Sequence, residues 1–296
     1  MSEPAVKEKK QKLSVPFPYD KYLRPHKLPH IWCPGCGHGI VLKALLRAIE
    51  ATGIDKNNVC MVSGIGCSSR TPGYVDFNTM HTLHGRAFSF ATGIKLAKPE
   101  MKVIVISGDG DALAIGGNHF IHTCRRNIDI TALVYTNFIY GMTGGQYSPT
   151  TPLGDVATTN RYGNIEPPFD TCEMAKASGA TFVARGTAYH TLELEKTILA
   201  ALNHKGTSIV DIIDACPTYY GRMNKFKSAT HMMEVIEKDG TVNVKQVDKL
   251  PPEKVQGKLL RGILHNVERP EYCEQYATII EKAKGKVKRG LWTQKK

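Results

Sequence analysis

Two groups of residues in this 296-residue chain are of the types that do chemistry at close quarters. The first is SGDGD, Ser107 to Asp111, which directly follows the apolar run KVIVIS and precedes a helix-forming stretch. Glycines at such a turn let the backbone approach a ligand closely, and the end of a strand suits a diphosphate. Asp109 inside the loop would repel a bare phosphate, so it calls for a hard divalent cation such as Mg²⁺ bridging carboxylate and phosphate oxygens. Further oxygens come from TNFIYGMTGGQ at the end of the next apolar run, which offers the amide oxygen of Asn137 and the carbonyls of a glycine-rich turn. The second group is sulfur. CPGC carries Cys33 and Cys36 around a Pro-Gly turn, while Cys67 in SGIGCSSR and Cys216 in DACPTYYG each follow a strand-like run. Four thiolates complete a [4Fe-4S] site or a structural Zn²⁺ site, and composition leaves both open. A thioredoxin-like dithiol competes for CPGC, but its usual setting, a CxxC opening a helix in a small redox domain, is not met here. Cys60, Cys124, Cys172 and Cys273 fall within strand or helix patterns and read as core or surface thiols.

Both groups need elements that bring distant residues to one rim. From Gly39 to Ile213 strand and helix patterns alternate. IVLKALLRAIEAT has helical spacing and stops at Gly53; VCMVS, KVIVIS, ITALVYT, TFVA and SIVDII read as strands. GRAFSFATGIKLA, Phe120 to Arg126, Thr171 to Ser178 and His190 to His204 read as helices between them. Alternation of this kind predicts an α/β fold with a doubly wound, mostly parallel sheet, and such sheets bind ligands at the carboxyl ends of their strands. His119 and His122, i and i+3 with only Cys124 nearby, are assigned to helix packing. Residues 1–30, Lys-rich and punctuated by proline, read as an arm, 31–220 as the domain holding both groups, and 221–296 as a C-terminal extension. Within the extension, HMMEVIEKDGTVNVKQV predicts a hairpin around Asp239-Gly240, and RPEYCEQYATIIEKAK one last helix.

Composition excludes several classes. At 42% hydrophobic and 22% charged the chain is that of an ordinary globular protein. Its apolar runs are far shorter than the about 20 residues of a bilayer helix, and no charged-then-apolar leader opens it, so a cytoplasmic protein is expected. The net charge of +12 lies largely in the terminal runs KEKKQK and EKAKGKVKRGLWTQKK, where solvated arms explain it; without a reading element, it does not make a nucleic-acid protein.

GDG at Gly108 to Gly110, followed after the run from Asp111 to Thr136 by Asn137, resembles the thiamine diphosphate motif. That resemblance implies Mg²⁺ held by Asp109, Asn137 and the carbonyl of Ile139, with Gly108, Gly110, Asp111, Gly141 and Met142 around the cofactor. For Asp111 an N-cap of the following helix is an equal explanation. With an electron donor of that kind nearby, iron becomes the better reading of the four cysteines. CPGCG, SGIGCSSR, HTLHGRA, SGDGDALAIGGNHFIH, NFIYGMTGGQYSPT and CPT, in this order over roughly residues 30 to 220, resemble the β subunit of 2-oxoacid:ferredoxin oxidoreductases, the 2-oxoglutarate type most closely. The family implies a sheet of the thiamine diphosphate-binding type and Cys33, Cys36, Cys67 and Cys216 as ligands of one [4Fe-4S] cluster. It implies Ile65, Gly66, Ser68, His84, Gly85 and Arg86 along the cofactor pocket.

The activity so implied is coenzyme A-dependent oxidative decarboxylation of a 2-oxoacid to an acyl-CoA and CO₂, or the reverse, with electrons leaving for ferredoxin. The carboxylate that activates the aminopyrimidine ring is not identifiable here. The chain reads as the diphosphate half, and the family implies an α (or fused γα) subunit supplying the pyrimidine half, in a pair of αβ units. Arg70, three residues after Cys67, is a candidate for a substrate carboxylate, and His84 for substrate or cofactor. The rivals are a pyruvate or broad 2-oxoacid enzyme of the same family, a non-redox thiamine enzyme with zinc, and a non-catalytic scaffold. A brown colour bleached by dithionite separates iron from zinc, and thiamine content separates an enzyme from a scaffold.

Overall fold

Side chains that alternate along the central strands divide the core into two layers in the computed structural model, which describes residues 17–286. On β3 (Lys102–Gly108), Ile104 and Ile106 face one layer, while Val103 and Val105 face the other. The chain runs α1 (His38–Thr52), β1 (Val59–Ser63), α2 (Thr71–Tyr74), β2 (Asn78–His81), α3 (Ala87–Ala97), β3, α4 (Gly117–Arg126), β4 (Thr131–Thr136), β5 (Ile139–Tyr140), β6 (Gln146–Tyr147), α5 (Thr171–Ala177), β7 (Phe182–Thr187), α6 (Thr191–Asn203), β8 (Ser208–Ile213), α7 (Ala229–Val235), β9 (Thr241–Asn243), α8 (Pro252–Val255), β10 (Leu259–Asn266) and α9 (Tyr272–Lys286). Leu45 and Leu46 of α1 and Leu194 and Ile198 of α6 cover the first layer; Phe88 of α3, Phe120 of α4 and Ala175 of α5 cover the second. With helices on both faces, the inner strands must be apolar throughout, as the uninterrupted KVIVIS and SIVDII runs are.

The main sheet has the order β2-β1-β3-β4-β8-β7-β10-β9. Strands β2, β1, β3, β4, β8 and β7 are mutually parallel, with Ser63 beside Ile106, Gly108 beside Tyr135 and Thr136 beside Ile213. Their carboxyl ends therefore form one rim, and the loops carrying Cys67, Asp109, Asn137 and Cys216 leave from it. Buried Arg185 on β7 fixes part of that rim: it bonds Asp211 and Asp170, each at 2.7 Å, and Asp211 in turn accepts the Thr136 hydroxyl at 2.5 Å, one residue before Asn137. No described helix is long and apolar enough to cross a membrane.

The C-terminal part departs from the expected hairpin. Ser228 caps α7 by accepting the His231 N–H, and the chain widens into a π-type turn over Ile236–Gly240 before the short β9, which pairs in parallel with β10. Met232 and Ile236 are both buried, and their separation of four is a helical period, which overrides the turn signal of Asp239-Gly240. Strand β10 then joins the main sheet antiparallel to β7. The extension thus completes the sheet, and the expected last helix is α9. Of the arm, the described residues pack onto the body: Tyr22 is buried and Leu23 bridges Val75. The basic run KEKKQK and the chain after Lys286 lie outside the described residues.

Candidate functional site

Asp109 sits at the centre of the rim and is buried. Its Oδ1 accepts the Gly110 N–H at 2.9 Å. Its Oδ2 accepts the Phe138 N–H at 3.1 Å, the Ser148 hydroxyl at 2.9 Å and the Thr150 hydroxyl at 2.5 Å. Burial pushes this carboxyl up to about 6, against the pull of the two hydroxyls and the Gly110 N–H. Asn137 is buried beside it and accepts the Ile139 N–H at 3.2 Å. Between them Phe138 takes a left-handed backbone (φ 65°), a strain of about 1–3 kcal/mol for a non-glycine residue. It is held from both sides: its N–H goes to Asp109, and its carbonyl accepts the Thr151 hydroxyl at 2.6 Å. Gly110 has no alternative, because a Cβ there would lie 2.3 Å from the Tyr140 ring, whose hydroxyl donates to the Gly110 carbonyl at 3.1 Å.

One cavity of about 80 Å³ collects Ile65, Gly66, Cys67, Ser68, His84, Gly108, Asp109, Gly110, Asp111, Asn137, Ile139, Gly141 and Met142. Gly85 and Arg86 do not line it. Gly85 stands behind and gives its N–H to Asp111 at 2.7 Å, and Arg86 turns away to the Ile115 carbonyl at 3.0 Å. Asp111 is no helix cap. The carboxylate at the turn's start is that of Asp109, whereas Asp111 accepts from Ile65 N–H, Gly85 N–H and the Ser107 hydroxyl and lies 2.6 Å from His84 Nδ1. Ser68 Oγ is buried on the wall with no hydrogen-bond partner among the described residues.

The four predicted cysteines line a second cavity of about 90 Å³, together with Trp32, His38, Arg70, Asn137, Gly141 and Met142. Cys33-Pro34-Gly35-Cys36 is a turn closed by Cys36 N–H to the Cys33 carbonyl at 3.1 Å; Gly35 at φ 80° and proline before it fit a type II turn. A Cβ placed on Gly141 would lie 3.5 Å from Cys67 Sγ and 3.7 Å from Cys216 Sγ, so these sulfurs flank the same face of Gly141. Trp32 anchors Cys67 by donating to its carbonyl at 2.7 Å. Burial pushes the Cys67 thiol up to about 11, with Cys216 and Cys33 adding to it, and raises Cys36 and Cys216 as well. Thiols so placed hold their protons until a cation takes the charge. Of the other cysteines, Cys60, Cys124 and Cys172 are buried and Cys273 is half-buried beside Glu271 and Lys95.

With the two cavities described, comparison with known proteins becomes informative. The family profile "Thiamine pyrophosphate enzyme, C-terminal TPP binding domain" matches residues 64–212. The 2-oxoglutarate synthase subunit KorB of Methanothermobacter marburgensis is 50% identical over 270 residues, covering 91% of this chain and 94% of that one. The chain belongs to the KorB family. The KorB of Archaeoglobus fulgidus is 47% identical over 272 residues, covering 92% and 96%. The solved 2-oxoglutarate:ferredoxin oxidoreductase of Magnetococcus marinus, with 2-oxoglutarate, coenzyme A and succinyl-CoA bound, superposes with a TM-score of 0.79 and 34% identity over 93% of each chain.

This KorB-family chain also holds site residues that the sequence reading passed over. Ser148 and Thr150 end the block NFIYGMTGGQYSPT but are given no role there, because their partner Asp109 is distant in sequence. His38 lies in CPGCGH, where the cysteines drew the attention. Its Nδ1 is 2.5 Å from Asp214 Oδ2 and 3.1 Å from Cys36 Sγ, and His38 itself borders both cavities.

Proposed function

We propose that this chain is the β subunit of a 2-oxoglutarate:ferredoxin oxidoreductase, carrying thiamine diphosphate, Mg²⁺ and one [4Fe-4S] cluster, and working in the cytoplasm with an α subunit in an (αβ)₂ assembly. One observation carries the reading: the carboxylate-amide cavity and the four-thiol cavity share the wall made by His38, Cys67, Asn137, Gly141 and Met142. Electron transfer needs such proximity, and a structural zinc site does not.

The residues present fit these groups. Asp109, Asn137 and the Ile139 carbonyl form an all-oxygen donor set of the kind Mg²⁺ takes. Ser68 Oγ is a buried polar atom that a diphosphate oxygen would satisfy. Cys33, Cys36, Cys67 and Cys216 are four soft donors around one space. When bound, thiamine diphosphate supplies the nucleophilic carbon and electron sink for decarboxylation, and the cluster a one-electron acceptor. The chain's own part is positional. The loops after β3 and β4 hold the diphosphate end, Asp111 holds His84 at the mouth, and Met142 and Gly141 separate the two centres. Coenzyme A and ferredoxin are the co-substrate and electron partner in this reading. Residues 31–220 house both centres, with the arm and the extension flanking them.

The α subunit is required, because the group that activates the cofactor ring is to come from it. The β chain purified alone is expected to show no coenzyme A-dependent oxidation of 2-oxoglutarate above background, and to gain it on mixing with α. Activity of β alone would overturn the division of labour. Exposed Arg70 borders the thiol cavity and is the cation proposed for the distal carboxylate of the substrate. Arg70→Ala in the complex should raise KM for 2-oxoglutarate about tenfold, the loss of ~1.4 kcal/mol, with pyruvate little affected. Equal effects on both substrates would remove Arg70 from specificity.

A further inference from the structure

We propose that Ser148 and Thr150 are positioning residues for the metal, fixing which oxygen of Asp109 a divalent cation receives. The inference rests on the functional reading above and concerns side chains outside the cation's own donor set. A carboxylate offers about four lone-pair sites, two on each oxygen. Three donors crowd Oδ2: the Phe138 N–H, the Ser148 hydroxyl and the Thr150 hydroxyl. Among the described residues, only the Gly110 N–H reaches Oδ1. Oδ2 is saturated by the protein, and Oδ1 keeps a lone pair for the cation.

The same turn also governs the second half of the donor set. Ser148, Thr150 and Thr151 are buried and tied to one another: the hydroxyls of Ser148 and Thr150 are 2.9 Å apart, and the Ser148 N–H donates to Thr151 Oγ1 at 2.8 Å. Thr151 then donates to the carbonyl of Phe138 at 2.6 Å, which holds the left-handed residue between Asn137 and Ile139. Three hydroxyl residues, Ser148, Thr150 and Thr151, thereby orient Asp109 on one loop and the Asn137–Ile139 segment on the other. Partners of this kind, one bond removed from a ligand, change metal affinity by about 10- to 100-fold when lost.

The test uses the assembled αβ complex, freed of metal and thiamine diphosphate by chelation, then titrated with Mn²⁺ in the presence of thiamine diphosphate while free Mn²⁺ is followed by electron paramagnetic resonance. Thr150→Val, which keeps the shape and removes the hydroxyl, and Ser148→Ala should each raise the Mn²⁺ Kd by about 10- to 100-fold. Thr150→Ser restores the hydroxyl and should return most of the affinity, which a merely space-filling role would not do. Binding by both hydroxyl-free variants as tight as in the parent complex overturns the inference. A parent complex that takes up no Mn²⁺ with thiamine diphosphate overturns the functional reading instead. Should Thr150→Val fail to assemble, Ser148→Ala and Thr150→Ser still decide the matter.

Discussion

Cys216→Ala in the assembled complex is expected to strip the iron from this subunit and reduce 2-oxoglutarate-dependent ferredoxin reduction to background, while thiamine diphosphate stays bound. The loss should be complete because Cys216 has no substitute. Cys33, Cys36 and Cys67 are the other thiols around the cavity, and the remaining cysteines lie in the second core layer or at the start of α9. His38 and Asp214 adjoin Cys36, 2.5 Å from each other, but neither is a thiol, the donor an iron-sulfur cluster takes. Cofactor retention follows from how the two ends are built. Cys216 hangs from the end of β8, whereas Asp109 and Asn137 hang from β3 and β4 and are fixed by hydrogen bonds from Ser148, Thr150 and the Phe138 and Ile139 N–H groups that do not pass through Cys216. The measurement is iron, acid-labile sulfide and thiamine content on one preparation, with Cys273→Ser as the control that keeps its iron. A full complement of iron in Cys216→Ala would move the cluster elsewhere and remove the shared wall from the mechanism.

The same architecture explains which parts of the molecule could be read from sequence. β3, β4 and β8 are covered on both faces, so burial alone dictates unbroken apolar runs, and KVIVIS, ITALVYT and SIVDII announce themselves. β2 is an edge strand of mostly exposed polar residues, NTMH, and leaves no such trace. β10 carries Arg261, Gly262 and His265, is mostly half-buried, and is held by its pairing to β7, a tertiary contact with no local signature. At the site the distinction is between residues marked by their type and those marked only by their partner. An aspartate between glycines, or a cysteine pair around Pro-Gly, is unusual enough to be noticed. Ser148 and Thr150 are ordinary loop residues until the fold brings their hydroxyls to Asp109. Asp111 was legible as an important position but not in its role, since N-capping and cross-linking both call for a carboxylate near a turn.

That role makes Asp111→Ala the substitution with the largest expected effect on stability. Asp111 is buried, and its carboxylate joins three segments: the loop after β1 through Ile65 N–H at 3.2 Å, the turn before α3 through Gly85 N–H at 2.7 Å and His84 Nδ1 at 2.6 Å, and the end of β3 through the Ser107 hydroxyl at 2.5 Å. Gly64 leaves room for it, since a Cβ there would stand 2.2 Å from Oδ2. Removing the carboxylate leaves these donors without their shared acceptor. Each buried donor left unsatisfied costs about 1–3 kcal/mol, and at roughly 2–4 °C per kcal/mol for a domain of this size the melting midpoint should fall by roughly 10 °C. Asp111→Asn keeps one acceptor oxygen but places an NH₂ group against N–H donors, so it should recover only part of the loss. The decisive comparison is thermal unfolding of the cofactor-free complex, which reports this cross-link without any contribution from ligand binding. A midpoint in Asp111→Ala within a degree or two of the parent would mean that the three segments are held by their own packing, and that Asp111 serves the cofactor alone.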